Sequence, residues 1–353
     1  MREGAAAMMA SIVPSSPTSA TVGPLVGKPM LIMERAGLSV DLSGMSDDTS
    51  RAGAEFNRTP VYISLAIALA LVVGVLFGAK WFFDQATNQP VAMGPVDAPD
   101  ADSPECQALI DELPGELLGH DRAELLEPAP AGAAAWQTTE IERITLRCGV
   151  DMPLQYDEYT PTKEIGGVEW MRVDDPTPES SLSTWYTTDR FPVVAVTADE
   201  HGLDGAENPV EDLPIDMLEQ RPAEFNSAPL SGLAANEGDL ETCEPLMETL
   251  PEEVADGYTP VRVDEPATAV WTAPGVEPIV LRCGVADPEN YQAGEQLQQI
   301  NNVTWFEDTR LINGSTAATW FALGRDANVA VSVPQNAGNA AIVHITEAIE
   351  QAL

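Results

Sequence analysis

The string Leu-Arg-Cys-Gly-Val occurs twice, at 146–150 and 281–285, and the landmarks around one copy recur around the other at nearly the same offsets. Trp136 and Trp271 each stand twelve residues before the cysteine of the string, and Trp170 and Trp305 each stand twenty-two after it. Trp185-Tyr186 and Trp320-Phe321 come fifteen residues later, followed by Arg190 and Arg325, then Val-Ala-Val at 194–196 and 329–331. Fixed offsets of this kind mark a duplication. The carboxyl-terminal part of the chain must therefore fold as two versions of one domain.

The pattern inside each copy sets the fold class. Ile144, Leu146, Cys148 and Val150 alternate with Thr145 and Arg147, and Ile279, Leu281, Cys283 and Val285 alternate with Val280 and Arg282, the period of a half-buried strand. The Val-x-Trp, Trp-Tyr/Phe and Val-Ala-Val stretches read as further strands. Ahead of them, Ser103-Pro104-Glu105 is a helix start, with a capping hydroxyl, Pro in the first turn and an acid at the positive dipole end. Cys106, Leu109, Ile110 and Leu113 form one apolar face that ends at Pro114; Cys243, Leu246, Met247 and Leu250 repeat it before Pro251. Ile342, Ile345, Ile349 and Leu353 mark a last amphipathic helix, whose counterpart near Val210 to Leu218 is weaker and carries Pro214. The expectation is α+β: two tandem repeats, each an antiparallel sheet packed against an amino-terminal and a carboxyl-terminal helix.

Residues 61–79 carry no charge and as a helix would span about 28 Å, close to a hydrocarbon core. Arg58 precedes them, and Lys80-Trp81-Phe82-Phe83 follows as an interface anchor. A cleaved signal peptide would have a shorter apolar region and a small-x-small site, so an uncleaved signal-anchor is the reading. Arg51, Arg58, Arg35 and Lys28 place the larger basic count on the amino side, which sets the tail in the cytoplasm and the repeats outside. The organisation expected is a disordered tail over 1–58, a transmembrane helix over 59–83 with its core at 61–79, and a Pro-rich acidic spacer over 84–103. Repeat domain 1 then spans 104–218, a linker 219–242, and repeat domain 2 243–353. Met45 opens a stretch that would itself make a sensible start, so part of 1–44 is a candidate for sequence outside the native protein.

Charge limits the partners. Lys and Arg total 17 against 56 Asp and Glu; residues 1–83 hold six of each sign, so the whole formal charge of −39 lies after residue 83. Such a surface repels phosphate backbones, and nucleic acid is excluded as a partner. Cationic or neutral partners remain, beside the plainer reading that the charge only keeps the protein soluble.

The four cysteines fall at matching places, one on the core face of each first helix and one on each central strand. Four allow three pairings, and duplication favours Cys106 with Cys148 and Cys243 with Cys283. Free buried thiols are the alternative, and a metal site lacks Cys-x-x-Cys or clustered His. No catalytic set, phosphate loop or cofactor motif stands out. His120 and His201 lie in polar loop sequence and His344 opposite the last helix's apolar face, so all three are expected in solvent. The acidic run Asp199 to Asp204 lacks calcium-loop spacing, and Asn302 and Asn313 match glycosylation acceptors. What does recur is Arg147/Arg282, opposite the cysteine, and Arg190/Arg325. These could clamp an anion or carboxylate, or form ion pairs with nearby Asp and Glu. The tryptophans read as core residues or as a ligand platform.

The combination Cys-x-x-Leu, Leu-Pro, Trp, Leu-Arg-Cys-Gly-Val, Val-x-Trp, Arg and Val-x-Val resembles an actinobacterial family of membrane-anchored envelope proteins catalogued as a domain of unknown function, DUF3515. The resemblance covers 104 to about 218 and 243–353, and here the domain is doubled. It implies a cell-envelope setting and carries over no catalytic residue. Two functions follow as expectations. One is a non-enzymatic, extracytoplasmic binding or scaffolding module on a single-pass cell-membrane anchor, with an envelope protein or polymer as partner. The other is an envelope enzyme or enzyme accessory working through surface carboxylates.

Overall fold

Turns and ladders in the computed structural model follow from the alternation noted above; the structure describes residues 59–87, 90–309 and 316–353. The tail read over 1–58, Met45, Asn313 and the side chains of Trp81-Phe82-Phe83 lie outside what is described. Helix α1 (Thr59–Thr87) runs to Thr87 rather than Phe83, and its side chains from 59 to 78 are all exposed. Uncharged from Val61 through Ala79 and apolar on every side, Thr59–Lys80 is long and apolar enough to cross a membrane.

The first repeat opens with α2 (Pro104–Glu112), capped as expected by Ser103, whose hydroxyl accepts from Cys106 N at 3.2 Å. There follow β1 (Glu116–Leu117), β2 (His120–Arg122), β3 (Ala133–Gln137), β4 (Arg143–Cys148), β5 (Thr162–Ile165), β6 (Val168–Asp174), β7 (Ser183–Thr187), β8 (Arg190–Phe191) and β9 (Val194–Ala198), then the single turn α3 (Glu200–Leu203) and β10 (Glu219–Gln220). The second has α4 (Leu240–Thr249), β11 (Thr259–Val261), β12 (Thr268–Thr272), β13 (Ile279–Cys283), β14 (Leu297–Ile300), β15 (Val303–Asp308), β16 (Ala317–Leu323), β17 (Val329–Pro334) and α5 (Gly338–Ala352).

The two large sheets are antiparallel, and β3-β4-β9-β7-β6-β5 of the first has the same order as β12-β13-β17-β16-β15-β14 of the second. The first runs β1-β2-β3-β4-β9-β7-β6-β5 and the second β11-β12-β13-β17-β16-β15-β14. In each, the strand bearing Leu-Arg-Cys pairs with the Val-Ala-Val strand in the same register, Leu146 opposite Val196 and Leu281 opposite Val331. The fold is α+β, as the sequence implies. Inner faces are dry: Cys106, Leu109, Trp136, Ile144, Leu146, Trp170 and Val196 cluster in the first repeat, and α4 and α5 cover Trp271, Leu281, Trp305 and Val331 in the second.

Five differences from the sequence reading have physical causes. The second helix of the first repeat is reduced to a 3-10 turn at Ile215–Met217, entered from Pro214, although Val210, Leu213, Ile215 and Leu218 still fill the core. Val150 and Val285 do not share the cysteine face: Gly149 and Gly284 take φ of +82° and +73°, the alternation stops there, and Val285 joins a cluster on the opposite face with Leu230, Val270 and Phe321. Stretch 219–242, read as a linker, is bonded along its length, with Glu219–Gln220 paired to β8 and Ala234 and Asn236 hydrogen-bonded to Ala286 and Gly284. The spacer is fastened too: Val91 N–H donates to Glu124 O at 2.8 Å, and Val91 is 2 % exposed.

His120 is the fifth. Expected in solvent, it is 4 % exposed on β2, where Nε2–H donates to Gly202 O at 2.9 Å and Nδ1 accepts from the Thr138 hydroxyl at 2.8 Å. The polar sequence around it hid a buried joint between β2 and α3. His201 and His344 are exposed, the latter with Nδ1 donating to Val254 O at 2.9 Å.

Candidate functional site

The repeated string is a fastening point in which each residue has a different task. Cys148 is bonded to Cys106 and Cys283 to Cys243, tying strand to helix across the core with Cα separations of 5.5 and 5.8 Å. On the outer face Arg147 donates to Gly94 O at 2.6 Å, and Arg282 to Leu230 O at 2.6 Å and Leu233 O at 3.1 Å. Gly149 O accepts from Asp100 N at 3.2 Å, and Gly284 O accepts from Asn236 N at 2.7 Å. In both repeats the partners belong to the segment that precedes the first helix. A Cβ on Gly149 would lie 2.3 Å from Ala101 N, so only glycine admits that segment. Burial lowers the Arg147 pKa from its ordinary value.

The remaining repeated residues also bond to the chain itself. Arg190, 7 % exposed, is paired with Asp189 and donates to Gly167 O at 2.6 Å, while its buried Nε has no hydrogen-bond partner. Arg325, in the matching place but only half-buried, donates to Asn302 O. Trp136 and Trp271 donate from Nε1 to Pro114 O and Pro251 O at 2.9 and 3.2 Å, closing the end of each first helix. All four arginines singled out by duplication thus spend donors on backbone carbonyls. Asp199, in the acidic run, caps α3 through Gly202 N at 2.8 Å. Among the described residues no three His, Cys, Asp or Glu side chains converge to hold a metal ion.

The two repeats meet through contacts that leave a cleft. Asp174 N donates to Gly275 O at 2.7 Å and Tyr159 packs on the outer face of the second sheet, while the connecting segment joins the first repeat through Asn226 N, which donates to Tyr156 O at 2.8 Å. Gly275 takes φ of +81°, a conformation that favours glycine, and a Cβ there would push aside the Asp174 carboxylate, 2.0 Å away. Beside the contact is a cleft of about 570 Å³. Its floor is a cross-strand row of Asp308, Thr319 and Ser332 on the outer face of β15, β16 and β17, beside Phe321. One wall is the connecting segment 226–234, held down by Arg282; others are 154–157 of the first repeat and 286–290 of the second.

Three of the lining acids are buried: Asp157 at 3 %, Glu277 at 8 % and Asp308 at 2 % exposure. Glu277 Oε1 accepts from Thr316 N at 2.9 Å, and Asp308 Oδ2 from Asn290 Nδ2 at 2.8 Å. Asp157 Oδ1 accepts from Tyr159 N at 2.8 Å and the Thr160 hydroxyl at 3.3 Å. Burial, with the charges of Glu158 and Glu277 adding to it, outweighs those bonds and pushes the Asp157 carboxyl up to about 6. None of the three stood out in the sequence.

A family profile described as Protein of unknown function (DUF3515) matches residues 65–224 and again 213–353. The chain belongs to the DUF3515 family. Each DUF3515 match begins well ahead of the first helix of its repeat, and so takes in the upstream segment that the repeated arginine and glycine hold. No curated protein and no solved structure matches the chain.

Proposed function

We propose that the chain is a binding or scaffolding protein of the bacterial, actinobacterial cell envelope, anchored in the cell membrane by α1 as an uncleaved signal-anchor. The tail would lie in the cytoplasm and the two repeats outside. The observation that carries the reading is the cleft between the repeats, walled by both copies and the segment joining them, of the size and mixed polarity of a ligand site. Orientation is supported by the basic residues before α1 and by two disulfides, which persist in an oxidising compartment. Because Val91 is docked four residues after Thr87, the first repeat can stand at most about 14 Å of chain from the end of α1. The partner is accordingly sought in the membrane-proximal layer.

The test has two parts. A topology reporter fused after residue 103 should signal from outside, and a cytoplasmic signal would remove both the localisation and the redox argument. In-cell crosslinking from the repeats should recover an envelope protein or polymer; repeated recovery of none would count against a binding role. One observation favours a second reading, an envelope enzyme or accessory: the Asp157 carboxyl at about 6 shares a cleft with Glu277, the setting of an acid–base pair. Turnover abolished by Asp157→Asn would select it.

A further inference from the structure

The cleft's lining carries Asp157, Glu277, Asp287, Glu289 and Asp308, and no Lys or Arg. Its two other buried acids are engaged, Glu277 by Thr316 and Asp308 by Asn290. Asp157 is different. Only its Oδ1 is held, by Tyr159 and Thr160, and Oδ2 has no hydrogen-bond partner among the described residues although the side chain is 97 % buried (3 % exposed). Oδ2 is not among the fully dry unpartnered atoms of the described residues and so stays reachable from the cleft; the group that best complements an unpaired carboxylate oxygen there is a positively charged donor.

Size and lining narrow the class. The acids do not converge in the threes or more that a metal site needs, and a volume of about 570 Å³ far exceeds a bare ion. The lining also offers Leu154, Pro229, Pro278 and Phe321, apolar surface suited to methylene groups. An ammonium at the end of an alkyl stem satisfies both features: three N–H donors for the bare oxygen and a flexible apolar chain for the walls.

We propose that the cleft between the repeats binds an aliphatic ammonium group, with Asp157 Oδ2 as its counter-ion and the Leu154, Pro229 and Pro278 surface packing its methylene stem. The proposal rests on the reading of the chain as a binding protein and names the chemistry of its ligand. The ammonium has two sources, a free diamine or polyamine and a lysine side chain of a peptide. Arg282, bonded to Leu230 and Leu233, is a positioning residue that fixes the wall and does not touch the ligand.

The experiment uses the full chain in lipid nanodiscs and calorimetric titration with three probes: 1,5-diaminopentane, the blocked peptide Ala-Lys-Ala, and 1-pentanol. Saturable binding of the diamine or the peptide, with none of the alcohol, is expected, and the tighter of the two identifies the source. Asp157→Asn, whose amide oxygen can still accept from Tyr159 and Thr160, should weaken the bound probe about tenfold or more. Glu248→Gln, at an exposed acid of α4 outside the cleft, should change it less than about threefold. Failure of both amines to bind, equal binding of alcohol and amine, or undiminished binding to a folded Asp157→Asn chain each overturns the proposal. The alcohol comparison needs no variant, so the outcome does not depend on that variant folding. Crosslinking that recovers the same envelope partner from the Asp157→Asn chain would sink this ligand assignment while leaving the broader binding role in place.

Discussion

Arg282 donates to the carbonyl oxygen of Leu230 at 2.6 Å, across 52 residues of sequence, and so pins the segment joining the repeats to the outer face of the second sheet. The guanidinium makes a second bond to Leu233 O, and Leu230 itself packs with Val270, Val280 and Phe321 beneath it. Arg147 makes the equivalent bond to Gly94 O but only one, from a more open position. Hydrogen bonds from charged donors contribute more than neutral ones. Arg282→Ala should therefore lower stability by about 2 to 3 kcal/mol and Arg147→Ala by about 1 kcal/mol. Thermal unfolding of the full chain in detergent checks the order, and hydrogen exchange should quicken over 228–236 in Arg282→Ala alone.

The disulfides close loops of 42 and 40 positions, so each removes comparable freedom from the unfolded chain, up to roughly 4 kcal/mol where strain is small. Because the two lie in different cores, their effects should add. Paired Cys→Ala replacement in either repeat should shift the urea midpoint by a similar amount, and in both repeats by the sum. A double variant no weaker than one single would mean that the bonded cysteines do not limit unfolding.

Much of the fold was legible because its strands are half-buried. Leu146 and Cys148 face the core with Arg147 opposite, and period-two alternation records that directly. It failed at Gly149 and Gly284, where a positive φ turns the chain and sends the following valine elsewhere. The cleft was illegible for a deeper reason. Duplication highlights residues that both copies keep, and those proved to fasten each repeat to itself. A site formed between copies draws different residues from each: Asp157 aligns with Gln292 at the same offset of 135 that relates Cys148 to Cys283 (283 − 148 and 292 − 157). Nothing in one copy marks a residue whose neighbours come from the other.

His120 illustrates the same blindness within one repeat. Its ring bridges Thr138 and Gly202 O, and Gly202 is packed so closely that a Cβ would lie 2.4 Å from Arg143 O. His120→Ala removes two hydrogen bonds and leaves a cavity, a loss of about 3 kcal/mol. His344→Ala, at an exposed position, should change stability by under about 1 kcal/mol. Urea unfolding of the two variants side by side measures the contrast; equal, small effects would show that the buried ring contributes little to holding α3 on the sheet.

Asp157 makes a pH prediction with a definite sign. Its carboxyl is pushed from the ordinary 3.8 up to about 6, chiefly by burial. Between those values the folded chain keeps a proton that the unfolded chain has released, so this group's contribution to stability falls as pH rises through the window. Above about 6 the full penalty stands, about 3 kcal/mol for a gap of this size. Asp157→Asn cannot ionise and escapes it. The variant should be the more stable chain at pH 7, by up to about 3 kcal/mol, with the difference shrinking to near zero by about pH 4. Urea unfolding of both chains across that range isolates the term, because the other carboxylates cancel in the difference. Parallel curves would mean that the Asp157 carboxyl is solvated in the folded chain.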